Sequence, residues 1–140
     1  NVQLEIGGSA TDFEQRTYAE ELALCQRYYQ KRANDSSGAT EVFYGNGQCD
    51  STTTLKGAVF FNPPMRVPPT AFETTGTASD YRIWFTGNTA STCTVIPSMS
   101  GMGSWGGRLV FIGGANLTAG EAGVFRASTA DSYLAWSAEL

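Results

Sequence analysis

No histidine occurs in the 140 residues, which removes the commonest general base and the commonest metal ligand together. The serines therefore have no imidazole to activate them, and nucleophilic catalysis of the serine type is not expected. Cysteine is scarce: Cys25, Cys49 and Cys93 make no CxxC pair or other metal-binding spacing, so the chain reads as holding no thiolate metal and needing no cofactor. Cys25 reads as a small buried hydrophobe. Cys49 and Cys93 are either bridged or free, with free thiols the preferred reading. Positive charge is sparse too. Nine Lys and Arg against 13 Asp and Glu give a net charge of −4 and a pI near 4.7, with no basic run beyond Lys31-Arg32, which excludes a nucleic-acid surface. The longest apolar run, Gly57 to Phe61, is too short to span a bilayer, so no membrane insertion is expected, and no signal peptide is visible. Asp12 and Glu14 offer oxygen ligands at a spacing that matches no calcium loop. The acids Glu73, Asp80, Glu121 and Asp131 are scattered and read as solvated strand ends rather than the carboxylate pair of a glycosidase, so no enzyme is expected.

What is present begins with one helix. Thr17 followed three residues later by Glu20 is a capping box, which predicts a helix from Tyr18 to about Arg32. Glu20 and Glu21 then lie in the first turn, and Arg27, Lys31 and Arg32 toward the end, the order a helix dipole favours. Asn34 to Gly38 stops it. Tyr18, Leu22, Cys25 and Tyr29 share a narrow stripe, and Leu24 and Tyr28 project off it, so the helix has two apolar surfaces. The reading preferred is that one docks on the rest of the chain and the other, with Leu24 and Tyr28, on a symmetry-related copy. The alternative is a helix sunk wholly into its own domain.

The chain opens with Val2 to Ile6, which alternates like a half-buried strand, and a connector anchored by Phe13. It begins at Asn1 rather than Met, so the expectation is a fragment or a processed piece. Residues 33–140 hold nearly all the glycine, every proline and many short β-branched and aromatic runs. Strands are predicted at Thr40–Tyr44, Thr53–Phe61, Thr70–Thr75, Tyr81–Phe85, Thr92–Ile96, Arg108–Ile112, Glu121–Ser128 and Tyr133–Ala138. The expected fold is therefore mainly β, an antiparallel jelly-roll-like sandwich (33–140) preceded by one short strand and one helix that serve for attachment and trimerisation (1–32). Turns are expected at Gly45-Asn46-Gly47, Asn62-Pro63-Pro64, Gly76, Gly87-Asn88, Gly113 to Asn116 and Thr118 to Gly120. Met65 to Val67, between two Pro-Pro pairs, should be extended. Leu134, Trp136, Ala138 and Leu140 share a face, so the chain should end within a sheet.

Two places carry candidate binding residues. Ser98 to Gly107, SMSGMGSWGG, is expected to be an irregular loop, and its Trp105 is either folded back as a plug or displayed to a partner. Aromatics on Gly- and Asn-rich loops suit the faces and hydroxyls of sugars, which makes Trp105, Ser104, Met102 and the turn residue Asn88 the candidate receptor-binding set. In Asp80 to Phe85, period 2 puts Tyr81, Ile83 and Phe85 in the core and Arg82 with Trp84 on the outer face. Arg82 and Trp84 there make a subunit contact, a sugar platform or a cation–π pair, of which the subunit contact is preferred.

The opening VQLEIGGSATDFEQRTYAEELALCQRYYQ, the later MRVPPT and the closing AEL together resemble the C-terminal domain found at the ends of many bacteriophage tail-fibre and receptor-binding proteins. The first segment is specific, a strand, connector and capped helix in fixed order. The other two add support by their order, and nothing between Gly76 and Ala130 takes part. The resemblance implies a homotrimeric, β-rich tip of a virion tail fibre, joined to an upstream shaft or other tail protein, that adheres to a host cell-surface glycan or protein. It brings no catalytic residue. The alternative is a structural trimerisation, capping or capsid-decoration domain that binds no receptor.

Overall fold

Why does a helix start at Tyr18 and give way so soon? In a computed structural model, which describes residues 15–33, 42–85, 89–114 and 116–138, α1 spans Tyr18–Gln26. The capping box is formed: the Thr17 hydroxyl accepts from the Glu20 amide at 3.3 Å, and a Glu20 carboxylate oxygen accepts from the Thr17 amide at 2.7 Å. The Arg27 and Tyr28 amides donate three residues back, to Leu24 and Cys25, which tightens the last turn. Tyr29–Ala33 is then a strand, β1, and not the last turn of the helix that the charge order predicts. Its five residues pair antiparallel with Tyr133–Ser137 near the C-terminus. A full ladder outweighs the few tenths of a kcal/mol per residue by which side chains differ in helix propensity, about 0.7 at most outside Gly and Pro.

Six strands close into an antiparallel barrel: β2 (Phe43–Cys49), β3 (Thr54–Phe60), β5 (Tyr81–Phe85), β6 (Thr89–Gly103), β7 (Gly106–Gly113) and β8 (Ala122–Ala127), in the order β2-β3-β7-β6-β5-β8. The remaining strands form a separate sheet, with β9 (Tyr133–Ser137) between β1 and β4 (Ala71–Thr74). The fold is thus mainly β and antiparallel with one short helix, but it is a closed barrel and not a jelly-roll sandwich. Closure comes from irregular pairing: β6 meets β7 with three shifts of register, and β2 meets β8 with one between Phe43 and Gly45. Such bulges add the bend and twist that bring the first strand back to the last.

Two sequence signals that read as turns lie inside strands. Gly45-Asn46-Gly47 is the middle of β2, where Gly47 stands opposite Gly57 of β3. A Cβ at Gly57 would fall on the Asn46 carbonyl and on the ring of Phe125, so glycine here lets two strands approach over a filled interior. Ser98 to Gly107 is likewise no irregular loop, because β6 and β7 pair until Gly103 faces Gly106 and leave Ser104 and Trp105 as a two-residue hairpin turn. Gly106, at φ +149° against the Val59 carbonyl, is a position a side chain could not take. The expected strands at Val2–Ile6 and at Thr40 and Glu41, with Phe13, Asn34 to Gly38 and Leu140, lie outside the described residues.

The barrel interior is filled by Tyr44, Leu55, Val59, Tyr81, Ile83, Leu109, Phe111 and Phe125, all buried. Phe111 packs on Phe125 with ring centroids 4.6 Å apart, and Tyr81 meets Phe111 edge-on at 5.8 Å. The core continues into the three-stranded sheet through Leu134, Trp136 and Ala138, as expected, with Trp136 against Phe61 at 5.5 Å and Phe72 at 5.7 Å. This sheet lies over the barrel end where β3 finishes. Buried polar groups tie the two together: the Tyr81 hydroxyl donates to the Tyr133 carbonyl at 2.6 Å, and the Ser132 hydroxyl to the Asp80 carbonyl at 2.6 Å.

All three cysteines are free, with Cys49 and Cys93 buried and Cys25 exposed. The expectation of a buried Cys25 fails, since α1 buries none of its residues. Burial pushes the Cys93 thiol up to about 12 and raises that of Cys49 as well. At pH 8 a thiol-specific chromogenic disulfide should therefore titrate one of the three thiols in the native protein and all three in denaturant. Fast reaction of a second thiol in the native state would contradict this packing.

Candidate functional site

The turn Ser104-Trp105 is fixed by backbone bonds to the segment that follows β3. The Phe61 amide donates to the Trp105 carbonyl at 3.0 Å, and the Met65 amide to the Ser104 carbonyl at 2.8 Å. With its main chain held this way, the Trp105 side chain projects outward and is 72% exposed. It is displayed and is no plug. Phe60, opposite Gly106 on the neighbouring strand, is equally exposed at 72%, and Phe43 is exposed as well. Sequence reasoning missed Phe60, although the signal was available: Leu55, Gly57 and Val59 alternate with Lys56, Ala58 and Phe60, so a phenylalanine shares the outward face with a lysine.

Of the other candidate receptor residues, Ser104 stands beside Trp105 and is half-buried. Met102 packs against the core, with its side chain over Gly107, and is not displayed with Trp105. Asn88 lies outside the described residues.

Among the described residues, helix α1 is tied to the same end of the barrel through its last turn. The Arg66 amide donates to the Arg27 carbonyl at 2.7 Å, and the Gln30 side-chain amide bridges the Gln26 and Pro63 carbonyls at 3.1 and 2.7 Å. No residue of α1 is buried: Tyr18 is 81% exposed, and Leu22, Leu24 and Tyr28 are exposed too. A cleft of about 460 Å³ between α1 and Pro63 is lined by Arg16, Glu20, Ala23, Leu24 and Arg27, and a second of about 350 Å³ by Arg16, Glu21, Leu24, Cys25 and Tyr28. Leu24 borders both, and the Tyr28 ring lies under the Arg66 guanidinium at 5.7 Å.

Arg82 and Trp84 sit elsewhere, on the outer barrel wall and half-buried. Arg82 donates to the Ser128 carbonyl at 3.1 Å, and the guanidinium over the Trp84 ring, at 4.5 Å, belongs to Arg126. A shallow depression of about 440 Å³ beside Trp84 is lined by Asn46 and Gly47 of β2, Phe85 of β5, and Ala122, Gly123 and Val124 of β8. The strand directions place it toward the barrel end away from α1 and Trp105, since Phe43 pairs with Arg126 whereas Gln48 pairs with Ala122. The four residues expected at subunit contacts lie in two separate places, Leu24 with Tyr28 and Arg82 with Trp84.

The described residues contain no group of three or more His, Cys, Asp or Glu that could hold a metal ion, and no helix among them is long and apolar enough to cross a membrane. Two of the carboxylates have local partners: Glu73 accepts from the Tyr29 hydroxyl at 3.3 Å, and Asp50 pairs with Lys56 at 2.6 Å. Burial, then the Glu73 charge, raises the pKa of the Tyr29 phenol. What this end of the barrel displays is apolar and aromatic area, Phe43, Phe60 and Trp105. No protein-family model, no curated protein and no solved structure matches the chain.

Proposed function

We propose that this chain is the tip of a virion tail fibre, a homotrimer that adheres to the host cell surface through glycan and catalyses nothing itself. The observation that carries the reading is α1, which is capped correctly at its start yet buries no residue. A nine-residue helix is far below the ~12–15 residues at which isolated helices become even marginal in water. Its Tyr18, Leu22 and Leu24, with Tyr28 just past its end, therefore call for a covering surface, and three copies related by a closed rotation supply one without a second gene product. Trp105 and Phe60, displayed on strand ends beside the helix, add aromatic area of the kind that contacts sugar faces. The three segments that resemble phage fibre tips give the module its setting. The second reading, a trimerising cap that touches no receptor, draws on the same helix and differs only in the role of the exposed aromatics.

The mass of the purified chain in solution tests the assembly. Three chains of 15.0 kDa should scatter as about 45 kDa, and Leu24→Asp should return the protein to a monomer with its barrel still folded. A wild-type monomer would remove the reason for trimerisation. Adhesion is tested separately by labelling host cells with the fluorescent protein. Trp105→Ala should weaken labelling several-fold without lowering Tm, and undiminished labelling by that variant would take Trp105 out of the contact.

A further inference from the structure

We infer that α1 of one chain packs on the barrel wall of the neighbouring chain at Phe43, Ala58 and Phe60, a helix laid over the adjoining ends of β2 and β3. The inference rests on the trimer reading and names the surface that covers the helix. It takes Phe60 out of the aromatic area open to sugar and leaves Trp105 there. The two strand ends lie side by side, because the Arg32 guanidinium bridges the Tyr44 and Phe60 carbonyls at 2.7 and 2.8 Å. Tyr44 and Val59 point into the barrel and are buried, which turns Phe43, Ala58 and Phe60 outward, where all three are exposed. Their side chains carry no donor or acceptor, so they offer nothing to a sugar hydroxyl and suit an apolar partner. The apolar side chains displayed by α1 are of that kind.

Helix against helix alone leaves the contact too small. With ~150–250 Å² for a whole aromatic side chain, Tyr18, Leu22, Leu24 and Tyr28 at their exposures offer roughly 400 Å², which a ring divides between two neighbours. A specific interface buries at least about 1,000 Å². Adding Phe43 and Phe60 brings the apolar part of one contact to roughly 600 Å², and since little more than half of an interface is apolar, the whole then reaches about 1,000 Å². Position favours a second copy as the occupant. The Arg27 carbonyl at the end of α1 is held by the Arg66 amide, on the segment that follows Phe60, so both apolar surfaces lie at one end of the barrel. A closed rotation brings together surfaces at the same height. In a ring of three, the two faces through which a chain meets its neighbours point to the same side of it, whereas in a large ring they lie on opposite sides. The rim agrees in charge: the first turn of α1 exposes Glu20 and Glu21, and Arg108 stands exposed opposite Ala58.

Phe60→Asp and Phe43→Asp test the contact by light scattering. Both side chains are exposed, so each variant should keep the circular dichroism of the wild type while its mass falls from about 45 kDa to the 15.0 kDa of one chain. Trp105→Ala should remain a trimer. Because the contact joins two different surfaces, variants broken on opposite sides complement each other. Phe60→Asp keeps its helix and Leu24→Asp keeps its wall, so the two mixed at high concentration should form a pair of two chains that neither forms alone, and native mass spectrometry reads it. A trimer that survives both wall substitutions, or two monomeric variants that do not pair, overturns this contact and leaves the trimer reading in place. A wild-type chain that is itself monomeric overturns both.

Discussion

Trp136→Ala should cost about 3–5 kcal/mol of unfolding free energy, the largest loss expected from any single truncation in this chain. The indole is fully buried between Phe61 and Phe72, and its Nε1 has no hydrogen-bond partner among the described residues, so it contributes through ring packing and the Arg32 guanidinium that lies over it. Alanine leaves a cavity where the three-stranded sheet meets the barrel, and the closed barrel beneath it cannot collapse to fill the space. For a chain of 140 residues this should appear as a fall in Tm of about 10 °C or more. Trp136→Phe keeps most of the volume and should lose less than half as much. Equal stability of the alanine variant and the wild type would mean that the sheet does not pack on the barrel as described.

Removing the guanidinium of Arg32 should cost nearly as much, about 2–4 kcal/mol for Arg32→Met. Its two terminal nitrogens donate to the Tyr44 carbonyl on β2 at 2.7 Å and the Phe60 carbonyl on β3 at 2.8 Å, while its plane lies over Trp136 at 5.8 Å. Burial lowers its pKa from the usual value, yet a guanidinium stays charged at any pH at which the protein folds. Methionine restores the apolar stem and leaves both carbonyls without a donor. Lysine keeps the charge but not the planar fork that serves two strands at once, so Arg32→Lys should be intermediate. Denaturant titration measures the loss, and hydrogen exchange should locate it in β1 before the barrel. A variant with unchanged midpoint and unchanged protection of β1 would show that the fork is incidental.

Features set by neighbours in the chain were legible in the sequence, and features set by distant pairing were not. Thr17 and Glu20 located the start of α1 because a capping box is complete within four residues. The core face of Tyr81 and Ile83 and the outward Arg82 and Trp84 followed from alternation within one strand. The end of α1 was missed because Tyr29–Ala33 takes its conformation from residues about a hundred positions away. Closure into a barrel was missed for the same reason, since it depends on the β8 to β2 pairing and its bulge. Glycine misled twice: at Gly47 and Gly106 it marks close approach of two strands, and composition alone cannot separate that from a turn. The display of Trp105 follows from the two-residue hairpin, which only the pairing of Gly103 with Gly106 reveals. The grouping of Leu24 and Tyr28 apart from Trp84 is likewise a matter of topology.

The pairing of β1 with β9 has a consequence for how the molecule is made. During synthesis Tyr29–Ala33 leaves the ribosome about a hundred residues ahead of its only ladder partner among the described strands, while the six barrel strands have all emerged before Tyr133–Ser137. Closing so long a loop costs only logarithmically more than closing a short one, but it has to wait for the last strand to exist. Until then the barrel end is uncapped and Trp136 is not yet there to hold Arg32. At that stage the segment that carries α1 has Pro63 and Arg66 to bond to but lacks its ladder with β9. A nascent chain, or one cut short before Tyr133, therefore lacks the ladder that fixes the strand following its helix. The assembly proposed for α1 is thereby reserved for chains whose barrel has already been sealed.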